Sequence, residues 1–444
     1  MLDATQALTV LAEVADDRAR VVLDARLAAI ADDLRGNPWF RPGELPDTHF
    51  MRFVIIDDPR GELPPLLAWE SNHDRATDAY LAEIARGVPT IERVFECCAG
   101  YPPGLIADVD AWVAWMKRHA YPAGAFYTSY RGVPRARILN DRDVHAAIRD
   151  VIDGDDRIEL GGLPPAEIQR RICAEVKRRR PDLDCSATID REAQWRTAVL
   201  AVLAIVALAV VAGLIALPCV AGAGWAALPL ALVVAGVAGY GALRRREATD
   251  LASAYVRPVD VVAAVRDVED QVAQNQLTHL VDLKPGAFRL ALLWIVLKGI
   301  NLLARFYFVH GALGGITAIH FARWVILRDR RPGVPKRHRL LFFSNYDGSG
   351  ESYLGEFIDR AAAGLTAVWS NTRGFPATER LLGEGARDEE AFKQWTREHQ
   401  LATQVWWSGV PDSTVQNILD DLWIRGRLDR GLADAELATW LRKL

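Results

Sequence analysis

A chain of 444 residues is long enough for more than one domain, and with half of its residues hydrophobic it can supply both sizeable cores and membrane segments. Its 53 Lys and Arg against 57 Asp and Glu leave a formal charge of −4, which argues against a globally basic nucleic-acid-binding surface. Five cysteines without CxxC spacing argue against a disulfide framework and for reduced, inert thiols.

The first twenty residues carry Asp3, Glu13, Asp16 and Asp17 and no uninterrupted apolar core, so no cleavable signal peptide is expected. Residues 1–43 read as N-terminal amphipathic helices. Residues 44–152 predict an α+β unit. HFMRFVII is its first strand, DRATDAYLAEIARG a helix after a cap, RVFECC a third strand, DAWVAWMKRHA a helix, GAFYTSY a fourth strand and DVHAAIRDVI a closing helix. Residues 153–196 read as a basic helical linker.

Between Thr197 and Leu243 there is no charged residue, and one span needs roughly 20 apolar residues. The run therefore predicts a transmembrane hairpin, Thr197–Leu217 and Trp225–Leu243, joined by PCVAGAG. Lys177, Arg178, Arg179, Arg180, Arg191 and Arg196 precede it and Arg244, Arg245 and Arg246 follow it, so both soluble portions are expected on the cytoplasmic side of an inner or plasma membrane. Residues 244–314 read as helical: Val259–Leu283 first, ended by Pro285 and Gly286, then Phe288–Val309. In the latter Lys298, Asn301 and Arg305 form a polar stripe on an apolar helix, which suits a helix lying in the headgroup plane, a core helix or a third span.

Residues 315–430 repeat the first unit. IHFARWVILRD answers THFMRFVIIDD, with His320 at an offset of 271 from His49 and Arg323 likewise from Arg52. Asn345, Asp347 and Tyr353 match Asn72, Asp74 and Tyr80 at 273, and His399 and Trp407 match His119 and Tyr127 at 280. The offset only grows, and it steps between elements, as loop insertions in a duplicated domain would make it. RLLFFSN reads as the second strand of this copy and TAVWSN as its third; residues 431–444 read as a C-terminal helix. The expected fold is α+β: two tandem ferredoxin-like repeats with an inserted transmembrane helical hairpin.

Two such units in one chain resemble the pseudo-dimers of the dimeric α+β barrel superfamily, which includes dye-decolourising peroxidases and chlorite-dismutase relatives. The resemblance covers about residues 44–152 and 315–428 and lies in element order. It implies sheets that face each other and, in some members, haem in one half, for which His399, His320 or His310 would be the axial candidates. The peroxidases' GxxDG-type distal Asp has a partial counterpart in Asp347–Gly348, but the first glycine is missing here.

The duplicated polar residues are the site candidates, because burying His or Arg without partners is costly. In the second copy these are His320, Arg323, Asp347 and His399 for chemistry and Asn345, Ser349, Tyr353 and Trp407 for a ligand. His49, Arg52, Asn72, Asp74 and His119 are their counterparts in the first. Asp74 and Asp347 would cap the helices that follow them, Arg52 and Arg323 would pair with those carboxylates, and strand alternation sends His320 and Arg323 to opposite faces. SNYDGSGES could cradle an anion on backbone N–H groups. No metal-binding motif is present. Three function classes follow: a membrane-anchored protein with a cleft for an apolar or amphiphilic, lipid-like ligand, with turnover left open; a haem oxidoreductase of peroxidase type; and a non-catalytic membrane scaffold or sensor.

Overall fold

The buried strands set the architecture. The computed structural model describes residues 5–186, 198–202, 204–206, 208–213, 216, 227–250, 272–307, 315–328 and 337–444. In chain order its first half comprises β1 (Gln6–Glu13), α1 (Asp17–Asp32), β2 (Thr48–Ile56), β3 (Leu66–His73), α2 (Thr77–Gly87), α3 (Val109–Arg118), β4 (Ala125–Thr128) and α4 (Arg135–Asp153). After α5 (Pro165–Arg179) and α6 (Ala227–Thr249) come β5 (Gln274–Asp282), α7 (Ala287–Phe306), β6 (Ile319–Arg328), β7 (His338–Asp347), α8 (Gly350–Trp369), α9 (Glu389–His399), β8 (Val405–Ser408), α10 (Val415–Leu428) and α11 (Asp434–Lys443).

The strands form two antiparallel four-stranded sheets with the orders β1-β3-β2-β8 and β5-β7-β6-β4. The last strand of each is exchanged: β8, from the C-terminal half, pairs with β2, and β4, from the N-terminal half, pairs with β6. Where β8 ends, Gly409 donates to His49 O at 2.7 Å, and a Cβ there would lie 2.2 Å from Thr48 O, so only glycine lets the two backbones approach.

Every residue of β2 is buried, because each of its faces is covered. Met51, Phe53 and Ile55 point to a core shared with α1, α2 and α3, whereas Val54 and Ile56 join Leu11, Ala68, Val325, Leu327, Leu341 and Phe343 in a core between the sheets. Two-sided burial is why HFMRFVII and HFARWVIL read as nearly continuous apolar runs. On the far side of the second sheet, α7, α8 and α9 close a matching core around Trp324, Phe342, Trp369 and Trp395. The helices α4, α5, α10 and α11 pack separately through Ile148, Ile172, Ile424 and Trp440.

Three sequence expectations are corrected. Within residues 1–43, Gln6–Glu13 is a strand, because its helix-favouring Ala, Leu and Glu are overridden by an eight-residue register with β3. Within 244–314, Gln274–Asp282 is likewise a strand, paired with β7; Leu277 and Leu280, three apart, had imitated a helical period. The third strands fail in both copies: RVFECC begins within the short helix Glu92–Phe95, and TAVW is the last turn of α8. The strands that complete the sheets are β1 and β5, where Leu8, Thr9 and Leu11 match Leu277, Thr278 and Leu280 at an offset of 269, which extends the rising series backwards. Their outer edges are covered, since Leu11 donates to His119 O and Leu401 to Thr278 O.

Two described helices, α6 and α7, are long and apolar enough to cross a membrane. The first exposes Leu230, Val233, Val234 and Val237 and runs six residues past Leu243, through the Arg244–Arg246 cluster. The described residues between 198 and 213 are helical and mostly exposed, while the expected turn, residues 218–224, lies outside the described residues, as does His310. By contrast α7 packs against the second sheet: Leu293, Leu297 and Ala304 are buried there, and Asn301 Oδ1 accepts from Phe126 N at 3.2 Å. Its opposite face exposes Trp294, Ile295, Leu302 and Leu303.

The exchange makes each half incomplete alone. Residues 1–153 expressed by themselves should self-associate or precipitate, because the β2 edge loses β8; size-exclusion chromatography of that fragment against the full chain checks this.

Candidate functional site

The sequence places one carboxylate in the middle of the β3 strand, and the fold brings two guanidinium groups to it. Glu70 Oε2 accepts from Arg52 Nε at 2.7 Å, and Glu70 Oε1 lies 3.0 Å from Arg323 Nη2; all three side chains are buried. The remaining Arg52 donors cross to the second sheet, to Leu277 O, Thr278 Oγ1, Ser344 O and Asn345 Oδ1 at 2.6–3.1 Å. Arg323 crosses the other way to the equivalent groups, Leu8 O, Thr9 Oγ1, Ser71 O and Asn72 Oδ1. Burial pushes the Arg323 guanidinium down to about 10, with Glu70 opposing the shift and Arg52 adding to it. Arg52 and Arg323 therefore do not pair with Asp74 and Asp347, as the sequence suggested. They bind Glu70 and the opposite half.

The two aspartates instead hold histidines. His49 Nε2 lies 2.6 Å from Asp74 Oδ1, and His320 Nε2 lies 2.8 Å from Asp347 Oδ1. The second oxygen of each carboxylate accepts a helix N-terminal N–H, Asp74 from Arg135 and Asp347 from Val415, both at 2.7 Å. The aspartates thus bond the N-termini of α4 and α10 rather than the helices that directly follow them; α4 has no other side-chain cap, whereas α10 also has a capping box from Thr414. At His320 the Nε2–H donates to the carboxylate, which leaves Nδ1 to accept from Tyr130 Oη, 2.9 Å away. Burial first, then Asp347 and Asp74, holds the Tyr130 phenol well above its usual range, which keeps it a donor. In the first half Val410 stands where Tyr130 stands in the second, and His49 Nδ1 is buried without a partner among the described residues.

The expected opposition of His320 and Arg323 is also corrected. A register shift between Ile319 and Phe321 interrupts the alternation, and His320 lies 5.0 Å from the Phe50 ring of the opposing sheet while Arg323 bonds that sheet's backbone. The two nevertheless make no common pocket. Ser349 caps α8 by accepting from Ser352 N, and Asp347 N and Gly348 N already donate to Ala318 O and Ala273 O, so SNYDGSGES is a capped turn and not an anion cradle. Tyr353 Oη donates to Ser344 Oγ at 2.6 Å, and Trp407 lies 5.7 Å from the Arg135 guanidinium. His119 and His399 sit at the ends of α3 and α9, their Nδ1 atoms 2.9 Å from Trp115 O and Trp395 O.

Haem does not fit these residues. Both ring nitrogens of His320 are engaged, and the apolar cavity of the second half, lined by Phe342, Tyr353, Trp369 and Trp395, encloses about 20 Å³, room for one water. His399 faces an open cleft of mixed charged and apolar lining and not an enclosed apolar slot. Among the described residues no cluster of His, Cys, Asp or Glu could hold a metal ion.

The open space lies elsewhere. A cleft of about 620 Å³ is lined by Ile55, Leu280, Leu401, Arg337, Arg373 and His399, among others. It shares Arg60, Asp282, Arg337 and Arg373 with a second of about 330 Å³, which reaches Lys284, Gly286, Ala287 and Leu290 at the start of α7. Of the expected site residues only His399 lines either cleft. Glu70, Tyr130 and the cleft cations escaped sequence reasoning. Glu70 had a signal, a lone carboxylate in an apolar strand where the other copy has Phe343; the cations sit in loops and strand ends with no periodic pattern.

Two outcomes follow for the buried polar groups. Glu70→Gln leaves two buried guanidinium groups without a carboxylate and should cost about 3–5 kcal/mol in urea unfolding. His73, stacked on Tyr80 at 3.7 Å between ring centres, is pushed down to about 3 by burial and by Arg323. Between about pH 6.5 and 3 the unfolded chain binds one proton more at this site than the folded one does, so its contribution is whole above pH 6.5 and lost as pH falls. His73→Phe should accordingly lose about 2 kcal/mol less between pH 7 and pH 5 than the unsubstituted chain, measured by denaturant titration at both values. No family model matches this sequence, and no curated protein or solved structure is significantly similar to it.

Proposed function

We propose that the protein is a membrane-anchored, cytoplasm-facing binding protein that holds an amphiphilic, lipid-like ligand in the joined clefts beside α7. In this reading its soluble body is a duplicated ferredoxin-like unit folded into a pseudo-dimeric α+β barrel. The observation that carries the ligand reading is the continuity of the 620 Å³ and 330 Å³ clefts, which run from a mixed charged and apolar floor to the first turn of an apolar helix.

The anchoring reading rests on α6, whose apolar surface is almost wholly exposed and whose basic end abuts the start of α7. Asp250, just past α6, accepts from Lys284 at 2.7 Å and from Arg289 at 2.5 Å, and the Arg246 guanidinium lies 5.2 Å from the Phe288 ring. These contacts support a cleft mouth near the level where α6 would leave the bilayer, and the positive-inside tendency favours a cytoplasmic side for Arg244–Arg246. The outward face of α7, with Trp294, Ile295, Leu302 and Leu303, then suits the interface plane while its inner face stays in the core. The duplication is supported by the matched sheet orders and by the two arginines that bind equivalent groups in opposite halves.

Native mass spectrometry of the detergent-extracted full chain should find a lipid-like adduct. Adding that molecule at a hundred times its Kd should stabilise the protein by about 2.7 kcal/mol. Adduct-free protein whose melting point ignores added lipids would overturn the proposal.

A further inference from the structure

The narrower cleft has a chemistry of its own. Its lining contributes four cationic side chains, Arg60, Lys284, Arg337 and Arg373, against one carboxylate, Asp282. The carboxylates that hold Arg337 and Lys284 from outside, Asp58 and Asp250, are not part of that lining. Arg337 is fixed in place by Asp58 and Asp282 at 2.9 and 3.0 Å, and Lys284 by Asp250 and Ser370 O at 2.7 and 2.8 Å. Arg373 is exposed and has no carboxylate partner among the described residues. His338, the remaining titratable group of the lining, is held below the usual His range by burial and by Arg328, so it adds no charge near neutral pH.

The first turn of α7 opens onto the same space. Gly286 precedes the helix without a side-chain cap, so the N–H groups behind it face the cleft end with the positive pole of a 20-residue helix. Along α7, Ala287, Leu290 and Trp294 follow at spacings of three and four, one strip of surface that leads from the cleft to the exposed apolar face. A charged head and an apolar tail would thus each meet matching chemistry a few ångströms apart.

We infer that this cleft binds the phosphate of an anionic lipid headgroup, with Arg373 as its exposed clamp, Lys284 and Arg337 as fixed cations and the tail laid along the Ala287–Leu290–Trp294 strip. The inference rests on the amphiphile reading above and adds the headgroup to it. A cavity of this size admits a glycerophosphate, and a guanidinium offers a phosphate two parallel N–H donors. The site lies at the membrane boundary, where a polybasic surface attracts anionic lipids in any case; the cleft would select one molecule from that layer.

The test uses the full chain in phosphatidylcholine nanodiscs, titrated with short-chain phosphatidic acid, short-chain phosphatidylcholine and inorganic phosphate, and read by melting temperature and tryptophan fluorescence. Phosphatidic acid should bind, and Arg373→Gln should weaken it about tenfold, the loss of one bidentate contact. Arg178→Gln, on α5 and outside the lining of either cleft, should not. Because Arg373 is exposed, its replacement should leave the ligand-free melting temperature unchanged. Inorganic phosphate bound as tightly as phosphatidic acid would keep the site and name a free phosphate as its source. Equal binding of phosphatidylcholine, or unaltered binding by Arg373→Gln, would overturn the headgroup assignment while an adduct in native mass spectrometry would still sustain amphiphile binding.

Discussion

Glu70 lies between two arginines at the plane where the sheets meet, and it can neutralise only one of them. The second positive charge is tolerated because carbonyl, hydroxyl and amide oxygens of both halves converge on the guanidinium planes, which offer five donors each. That arrangement works in one register only. Sliding one sheet over the other by a single residue would pull Arg52 off Ser344 and Asn345 and leave buried donors unmet, a larger penalty than any single apolar contact in the layer could offset. The flat apolar surfaces supply the attraction between sheets, and the arginine pair supplies their alignment.

The aspartates extend the same logic outward. Each takes a histidine from its own sheet and an N–H from the helix leaving the short fourth strand, so helix α4 is tied to β2 and helix α10 to β6. Since those helices follow the exchanged strands, the capping bonds also fix where the exchanged strands end. Arg135, whose N–H meets Asp74, sends its Nε to Gly409 O at 2.8 Å and so joins the two halves at one point.

Much of this was written in periodicity and in self-similarity. The doubled HF-x-R phrase located β2 and β6, and the charge-free run located α6. The first strand of each half was invisible for a physical reason: QALTVLAE and QNQLTHLVD are edge strands whose composition suits a helix, and only long-range pairing decides them. The duplicated polar residues were rightly singled out as needing partners, but the partners were misassigned. Local reasoning offers Arg52 the nearby Asp74, whereas the fold offers Glu70 from the neighbouring strand and oxygens more than two hundred residues away. The clefts were illegible because their cations come from four separate segments that share no spacing.

The exchanged strands also order events in time. The edge of β2 is finished by residues 405–408, roughly 350 positions downstream. At about 5–20 residues per second, a ribosome needs on the order of 20–70 s to deliver them. Helix α6 emerges well before that, so an apolar helix and an open strand edge coexist on the nascent chain while the soluble body cannot yet close. Under the anchoring proposed above, early capture of α6 by a bilayer would hold the first half close to the ribosome until β8 arrives, so that insertion would aid assembly as well as set location.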